Sequence, residues 1–377
     1  MADPLIARDG ELGRLVRKLS LEHRLALDTE SASFHRYVDR VYLIQVGYGD
    51  RVALIDPLAV RDLSPLGGLL ADRAIEVVLH DADYDLRVLD RDYGFRIRNL
   101  FDTRVAAELA GEPGVGLAAL LERHFGMRLN KRLQRADWSR RPLTERMLAY
   151  AADDVRHLLS LRDILEHRLA AMGRLDWALE EFARLESVGW SGPDDAERYL
   201  RIRGARGLPP RSLAVLRALH QWREATARKL DRAPFRVIAN AALLGVAQAC
   251  PRSVEELSRV DGFPDSLVRK YGRAVLAAVE AGLAIPEDRL PRVPRASRAE
   301  PDPLYDQRLE RLKLLRNRRA SELGLAPGLV CPNGTLQALA RLAPSTRSSL
   351  EQVPELRNWQ LEVLGEEALL SAIRDGP

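Results

Sequence analysis

The feature that most constrains the fold of this chain is an internal repeat in its C-terminal half. A shift of 93 residues, without any gap, aligns apolar residues with apolar residues and also aligns the Pro, Asn and Gly residues that punctuate helices. We therefore expect two copies of one small all-helical domain, at residues 205–286 and 304–377, joined by a proline-rich linker at residues 287–303. The aligned pairs are Leu216 and Leu309, Leu219 and Leu312, Leu230 and Leu323, Pro234 and Pro327, Asn240 and Asn333, Leu243 and Leu336, Leu257 and Leu350, Val260 and Val353, Gly272 and Gly365, and Leu276 and Leu369.

The N-terminal part, residues 1–204, has a different pattern. The run VYLIQVGYGDRVALID at residues 41–56 predicts a β-hairpin, and IEVVLH at residues 75–80 predicts a further short strand. Apolar spacing predicts helices between and after these strands, over residues 83–92, 102–110, 116–124 and from Thr144 to about residue 172. This alternation predicts an α/β domain.

Composition excludes several classes of protein. A length of 377 residues favours two or three domains, and a hydrophobic fraction of 46% is too high for global disorder. No apolar segment has the length of a bilayer span and the N-terminus lacks a signal-peptide pattern, so we expect a cytoplasmic protein without a membrane partner. The two cysteines, Cys250 and Cys331, are too few for a disulfide framework or a thiolate zinc site.

Positive charge is concentrated in the middle of the chain. Residues 201–298 contain 19 Lys and Arg against 9 Asp and Glu, whereas residues 1–200 contain 29 against 34. A local arginine excess favours attraction to a polyanion such as nucleic acid. An arginine-rich solvated surface, produced by a GC-rich coding bias, explains the same counts equally well.

Acidic residues in the α/β part suggest a metal site. In LALDTE, Asp28 and Glu30 are two positions apart on a predicted strand and therefore share one face. Asp85 follows the strand that ends near residue 80, and Asp154 shares a helix face with Tyr150. Four converging carboxylates repel one another unless cations lie between them. All-oxygen ligands favour Mg²⁺ or Mn²⁺, and two such ions are the arrangement for phosphodiester hydrolysis.

Each of these acids also has an ordinary interpretation. An Asp-x-Glu at a strand end is usually turn chemistry, and Asp85 in a first helical turn is most often a cap. Tyr150 fits a half-buried aromatic, and Asp153 can replace Asp154 as the inward acid. The combination in this order on these elements favours the metal site.

The motifs resemble those of a known family. LALDTE, HDADYDL and YAADD are similar to the three exonuclease motifs of the DEDD superfamily, in its tyrosine subgroup. The stretch LNKRLQRADWSRRPLTERMLAYAADDVRHLL is particularly similar to the ribonuclease D family, and the two helical repeats resemble that family's tandem HRDC domains. The resemblance covers nearly the whole chain. It implies an α/β ribonuclease H-like exonuclease domain with a mixed sheet, followed by two small all-α domains.

The resemblance also implies an activity. It indicates a metal-dependent 3′–5′ exoribonuclease that trims the 3′ ends of structured RNA, such as precursor tRNA, and releases nucleoside 5′-monophosphates. Two Mg²⁺ or Mn²⁺ ions are then held by four carboxylates, and a tyrosine orients the attacking water; Ala149 stands where the alternative subgroup has a histidine. The residues carried over are Asp28, Glu30, Asp85 and Asp154 as ligands, with Tyr150 as the fifth catalytic residue.

Residues that contact RNA are harder to select. Lys131 and Arg141 precede the Tyr150 helix and fit either phosphate contacts or surface charges, while His80 and Trp138 are expected to be structural. The basic first repeat is the better candidate for the RNA backbone. Its candidates are Arg217, Arg223, Arg228, Lys229, Arg269 and Lys270.

Two alternative functions stay open at this point. One is a DNA 3′–5′ exonuclease, because proofreading domains share the same carboxylates. The other is a nucleic-acid-binding module with a vestigial site. Nothing in the pattern calls for an obligatory protein partner.

Overall fold

The structure is a computed structural model and describes residues 5–129, 131–192, 197–293 and 302–374. Its N-terminal part is an α/β domain built on one sheet. The strands are β1 (Arg24–Ser31), β2 (Val41–Tyr48), β3 (Arg51–Ile55), β4 (Glu76–Leu79) and β5 (Leu100–Asp102). The helices are α1 (Asp9–Leu19), α2 (Ser64–Leu70), α3 (Asp83–Tyr93), α4 (Thr103–Leu109), α5 (Leu117–Phe125), α6 (Glu145–Arg156), α7 (Leu158–Ala171) and α8 (Leu175–Glu186), with a short 3-10 helix at Lys131–Leu133.

The sheet is mixed, as the family resemblance implied. Its strand order is β3-β2-β1-β4-β5, with antiparallel pairing among β1, β2 and β3 and parallel pairing of β1 with β4 and of β4 with β5. The predicted hairpin is β2 and β3, which turn at Gly49 with a φ of 51°. Strand β5 was not predicted, since three residues are too short to show an alternating pattern.

Both faces of the sheet are covered by helices. Leu25 and Leu27 of β1 belong to an apolar cluster with α1, α2 and α3, whereas Ala26 belongs to a second cluster with α4 to α8. This split follows from the alternation of side chains along a strand. Side chains that follow in the register of Ala26 therefore face α6.

The helix predicted from residue 144 is two helices. Thr144 caps α6 as expected, its hydroxyl oxygen accepting a hydrogen bond from the Met147 amide at 3.3 Å. The chain breaks at His157, whose φ of −112° and ψ of 2° lie outside helical geometry. Because of this break, α6 packs across the β1–β3 side of the sheet while α7 packs against α4.

The C-terminal half is helical and contains the repeat. The first copy has α9 (Pro210–Leu230), α10 (Pro234–Val237), α11 (Asn240–Ala249), α12 (Val254–Leu257) and α13 (Asp265–Leu283), with short 3-10 helices at Arg198–Arg201, Ala205–Gly207 and Glu287–Arg289. The second has α14 (Tyr305–Leu323), α15 (Pro327–Val330), α16 (Asn333–Leu342), α17 (Arg347–Glu351), α18 (Asn358–Leu364) and α19 (Glu366–Ile373). The long helix α13 is matched by two helices, which separate at Gly365 with a φ of 82°.

The two copies share an interior hydrogen bond as well as most of the positions at which their helices begin and end. The Arg223 guanidinium donates to the Asn240 side-chain oxygen at 2.6 Å, and 93 residues later Arg316 donates to Asn333 at 2.7 Å. Each copy has its own apolar cluster. The first cluster includes Tyr199, which precedes the predicted boundary at residue 205. The exact domain limits stay a prediction. Residues 294–301 of the predicted linker lie outside the described residues.

Both helical domains contact the α/β domain. The first lies on the loop after β1, where the Ala233 amide donates to the His35 carbonyl at 3.3 Å and Arg36 pairs with Asp231 at 3.0 Å. We name residues 32–40 the β1–β2 loop. The second domain lies on α8, where α18 begins. The basic copy is thus placed beside the end of β1.

In the described part of the chain, none of the helices combines the length and apolar character needed to cross a bilayer. Cys331 is buried, which raises the pKa of its thiol to about 12, and Cys250 is partly buried.

Candidate active site

Strand β1 delivers two carboxylates to one face of the sheet. Asp28 and Glu30 follow Ala26 in alternate positions and therefore face α6. The pairing of β1 with β2 shifts register between Glu30 and Ser31. Such an irregularity bends a strand, so the regular alternation ends immediately after the second acid.

Helix α6 supplies a third carboxylate to the same place. One carboxylate oxygen from each of Asp28, Glu30 and Asp154 lies within 4.8 Å of the other two. The close approach of the helix to the sheet depends on Gly47, which stands opposite Ala26: a Cβ on this glycine would lie 3.1 Å from the Val155 carbonyl oxygen. The absent side chain therefore lets α6 lie close enough for the three acids to converge.

The register of α6 decides which of its two adjacent acids points inward. Asp153 is about half exposed and pairs with Arg156 at 3.2 Å, on the outer side of the helix. Asp154 and Tyr150 share the inner face, where the charge of the Asp154 carboxylate acts on the tyrosine hydroxyl. The open choice between the two acids is thus resolved in favour of Asp154.

Asp85 approaches from the first turn of α3. Its side chain is 7% exposed and accepts a hydrogen bond from the Thr29 hydroxyl, on the strand position between the two acids of β1. It is not among the three carboxylates that lie within 4.8 Å of one another. Its charge nevertheless contributes to the raised pKa of Asp28, so it belongs to the same electrostatic site.

The acids are strongly perturbed by burial and by one another. Burial, and then the charges of Asp85 and Asp154, raise the pKa of Asp28 well above its usual value. Burial raises the pKa of Glu30 to about 10, with the charge of Asp28 adding to it, and raises the pKa values of Asp85 and Asp154 to about 7. Without a cation, this site therefore holds protons at neutral pH.

This donor set fits divalent metal ions. Carboxylate oxygens are the ligands that hard cations such as Mg²⁺ and Mn²⁺ prefer, and the three converging oxygens lie close enough to share an ion. A cation also supplies the positive charge that lets these half-buried acids ionise. Asp28, Glu30 and Asp154 could hold a metal directly, and Asp85 is placed to assist.

Tyr150 is fixed between the acids and the core. Its ring lies 6.0 Å from that of Trp138, which is fully buried as expected for a structural residue. Burial and the charge of Asp154 raise the pKa of the Tyr150 hydroxyl above its usual value. The hydroxyl therefore stays protonated and can orient a water molecule at neutral pH.

The acids open into a cavity of about 520 Å³. Several residues that line this cavity were not predicted, because no sequence motif marks them. Among them are Arg104, Gln134 and the N-terminal turn of α5. His80 lines it too: its Nδ1 lies 2.9 Å from the Thr103 hydroxyl, and burial lowers its pKa to about 4, so the ring is neutral.

Gln45 is a further residue that the sequence did not mark. It is fully buried on β2 directly opposite Asp28, on the same face of the sheet. Within the described residues, neither atom of its side-chain amide has a hydrogen-bond partner. A buried amide of this kind needs one, and the nearest charged group in the strand register is Asp28.

Comparisons with known proteins agree with this site. Residues 5–170 match the family described as 3′-5′ exonuclease, and residues 212–279 and 306–373 each match the HRDC domain. Ribonuclease D from Gluconacetobacter diazotrophicus is 35% identical over 99% of this chain and 93% of its own length. The chain belongs to the ribonuclease D family. It is accordingly a 3′–5′ exoribonuclease, and the resemblance seen in the motifs is confirmed.

Solved structures of similar proteins confirm the fold. RNase D from Escherichia coli, described as an exoribonuclease involved in structured RNA processing, is 32% identical with a TM-score of 0.75, and 99% of each chain is covered. A protein from Bifidobacterium adolescentis is 26% identical with a TM-score of 0.82, and 98% of this chain and 97% of that chain are covered. The exonuclease domain and two HRDC domains of the ribonuclease D family are thus all present. This exonuclease fold implies divalent metal ions as cofactors.

Two residues predicted to contact RNA use their guanidinium groups in contacts within this ribonuclease D family member. Arg141 forms two charged hydrogen bonds to Asp56, at 2.6 and 2.7 Å, and a third to the Tyr42 carbonyl. Arg223 is 5% exposed and is bound to Asn240. Arg223 is thus buried away from the RNA surface, which corrects its assignment, whereas Arg141 is exposed and its contact with RNA stays a prediction.

The remaining candidates are on the outside of the first HRDC domain. Lys229, Arg269 and Lys270 are exposed, and Arg228 is exposed with its guanidinium 5.3 Å from the ring centre of Tyr37 on the β1–β2 loop. Lys131 lies in the 3-10 helix before α6, and its side chain lies outside the described part of the chain. The RNA-binding role of these residues stays a prediction.

Proposed function

We propose that this member of the ribonuclease D family trims the 3′ ends of structured RNA, such as precursor tRNA, using two Mg²⁺ or Mn²⁺ ions and releasing nucleoside 5′-monophosphates. The observation that carries this proposal is the convergence of Asp28, Glu30 and Asp154 beside Tyr150. The expected site of action is the cytoplasm. We further propose that residues 1–204, 205–286 and 304–377 are the exonuclease domain and the two HRDC domains.

Asp28, Glu30, Asp85 and Asp154 are the proposed metal ligands. When bound, divalent ions supply positive charge that activates water and stabilises the leaving 3′ oxygen in phosphodiester hydrolysis. The Tyr150 hydroxyl keeps its proton beside Asp154 and orients the attacking water. Glu30, at the end of β1, faces the cavity that receives the terminal nucleoside. The cavity volume of about 520 Å³ lies in the range of small-ligand sites and supports one nucleotide at a time.

Structured RNA is the proposed substrate class for two reasons. Curated relatives that match nearly the whole chain are named ribonuclease D, and the E. coli protein is described as acting in structured RNA processing. In addition, the first HRDC domain has exposed basic side chains, and one of them, Arg228, lies against Tyr37 of the loop that follows β1. A duplex with a single-stranded 3′ end suits that combination of a narrow cavity and a basic neighbour.

The test follows single nucleotides released from an RNA end. A precursor tRNA with a 3′ trailer, labelled at its 5′ end, is incubated with Mg²⁺, Mn²⁺ or a chelator, beside a DNA strand of the same sequence. We expect a ladder that shortens from the 3′ end, nucleoside 5′-monophosphates as the product, and no reaction with chelator. Asp28→Asn is the inactive control, and Asp153→Asn, which removes a neighbouring outward acid, is the active control. Preferential degradation of the DNA would refute the proposed substrate, and no metal-dependent release from either strand would refute the activity.

A further inference from the structure

Two exposed phenylalanines from different domains meet beside the active site. Phe34 on the β1–β2 loop is 40% exposed, and Phe235 on α10 of the first HRDC domain is 50% exposed. Their ring centres are 6.1 Å apart at an angle of 77°, in an edge-to-face arrangement. A contact that only joined two domains would be expected to bury such rings, whereas here much of both rings stays open to solvent.

Arginines surround this pair. The Arg135 guanidinium lies 5.1 Å from the ring centre of Phe34, and Arg236 donates a hydrogen bond to the Phe34 carbonyl. Three residues further along the loop, Arg228 lies against the ring of Tyr37. Exposed aromatic faces among cations are the combination that binds single-stranded nucleic acid, because bases stack on the rings while the cations neutralise phosphates.

The pair is connected to the active-site cavity through one chain segment. Gln134 lines the cavity, and the next residue, Arg135, covers Phe34. Phe34 is four residues from Glu30, a distance that extended chain spans in at most about 14 Å. In the proposed function the 3′-terminal nucleotide occupies the cavity. The nucleotides that precede it leave through the cavity opening, and Phe34 lies within their reach.

We propose that Phe34 and Phe235, with Arg135, form a stacking platform for the unpaired bases that precede the 3′-terminal nucleotide. The proposal rests on the proposed exoribonuclease function and adds a substrate requirement. An RNA is trimmed efficiently only while a short single-stranded segment reaches from the cavity to the platform. The platform contains residues of two domains. The first HRDC domain therefore contacts the bases of the single-stranded segment as well as the RNA phosphates.

The experiment separates base stacking from domain packing. Phe34→Leu and Phe235→Leu keep apolar side chains at the contact but remove the aromatic faces. Each is compared with wild type on an unstructured RNA, on the same RNA with abasic sites at the second to fourth nucleotides from the 3′ end, and on a dinucleotide. Leu314→Ala, at a 69% exposed position of α14, is the matched surface control.

We expect kcat/KM for removal of the first nucleotide from the intact RNA to fall about tenfold in each phenylalanine variant, as one lost base stack predicts. On the abasic RNA, where neither ring has a base to stack on, wild type and the variants should have the same lowered kcat/KM. The dinucleotide should be cleaved equally by all proteins. If the variants lose the same factor on intact RNA, abasic RNA and dinucleotide, the rings serve domain packing and the platform is refuted. A wild-type protein that releases nucleotides from none of these substrates would refute the exoribonuclease function itself.

Discussion

Burial raises the pKa of Glu30 to about 10 and those of Asp85 and Asp154 to about 7, whereas unfolded carboxylic acids ionise near pH 4. Between these values the folded, metal-free protein binds more protons than the unfolded chain. Its free energy of unfolding therefore falls as the pH rises through the folded-state pKa values. Because a bound cation lets these acids ionise, metal binding is linked to the stability of the fold.

Asp28→Asn tests that link. In chelator, we expect wild type to lose on the order of 1 kcal/mol or more of unfolding free energy between about pH 5 and pH 8, and Mg²⁺ to restore part of it. Because the variant removes one repelling charge, it should be more stable than wild type at pH 8 without metal, while having no activity. Urea unfolding at both pH values measures this. The exposed neighbour variant Asp153→Asn should follow wild type; a variant at Asp28 that is less stable at pH 8 would contradict the assignment.

Tyr150→Phe separates the water-orienting hydroxyl from the metal ligands. The fold should be unchanged, because the ring contact with Trp138 is retained. The affinity for Mn²⁺ should also be unchanged, because the four carboxylates remain. We expect kcat to fall about 100-fold, the lower range for loss of a positioned proton-transfer group. Initial rates and calorimetric Mn²⁺ titration make the comparison, with Tyr271→Phe on the first HRDC domain as control. An unchanged kcat would remove Tyr150 from the mechanism.

At the scale of elements, the contact of α6 with the sheet sets the geometry of the acids. Gly47→Ala places a Cβ 3.1 Å from the Val155 carbonyl oxygen and from the Cβ of Ala26, so the helix must shift outward. We expect a loss of about 1–3 kcal/mol of unfolding free energy, as for other overpacked sites. We also expect a lower kcat, because the shift of α6 displaces Asp154 from the other acids. Gly68→Ala, in α2 where a Cβ meets nothing within 4 Å, should be neutral or stabilising. Full activity in Gly47→Ala would show that the helix position is not limiting.

Local patterns account for the elements that were predicted well. The hairpin, β4 and the cap at Thr144 follow from alternation and capping within a few residues, and Asp28 and Glu30 share a face by the period of a strand. The break at His157 and the short strand β5 depend on packing against distant segments. The ion pair of Arg141 could not be predicted for the same reason, because its partner Asp56 is 85 residues away in the chain.

At the scale of the whole molecule, two copies of one domain carry different surfaces. The first is basic and lies beside the β1–β2 loop. The second, residues 304–377, has nearly balanced charge and lies on α8, where the rings of Trp177 and Trp359 stack at 5.2 Å and 19°. Both copies keep the same interior contact, with Arg223 and Arg316 in matching places, although their surface charges differ.

RNA binding should therefore depend on salt through the first copy. Replacing Lys229, Arg269 and Lys270 with Gln removes three exposed charges, and each lost phosphate contact lowers the slope of log affinity against log salt by about 0.7 for a single strand. Arg318→Gln in the second copy should leave the slope unchanged. Fluorescence anisotropy at several salt concentrations, with Ca²⁺ in place of Mg²⁺, measures both. An equal change in the two proteins would assign the RNA surface elsewhere.

The junction between α8 and α18 bears on how the chain matures. The Glu180 carboxylate accepts hydrogen bonds from the backbone amides of Asn358 at 2.8 Å and Trp359 at 3.0 Å, so the first turn of α18 is completed by a residue synthesised long before it. The exonuclease domain emerges from the ribosome first and presents this acid to a segment not yet made. Two amides of the first turn of α18 therefore reach this acceptor only when the last domain lies against α8, so its docking adds to the hydrogen bonds that cap the helix.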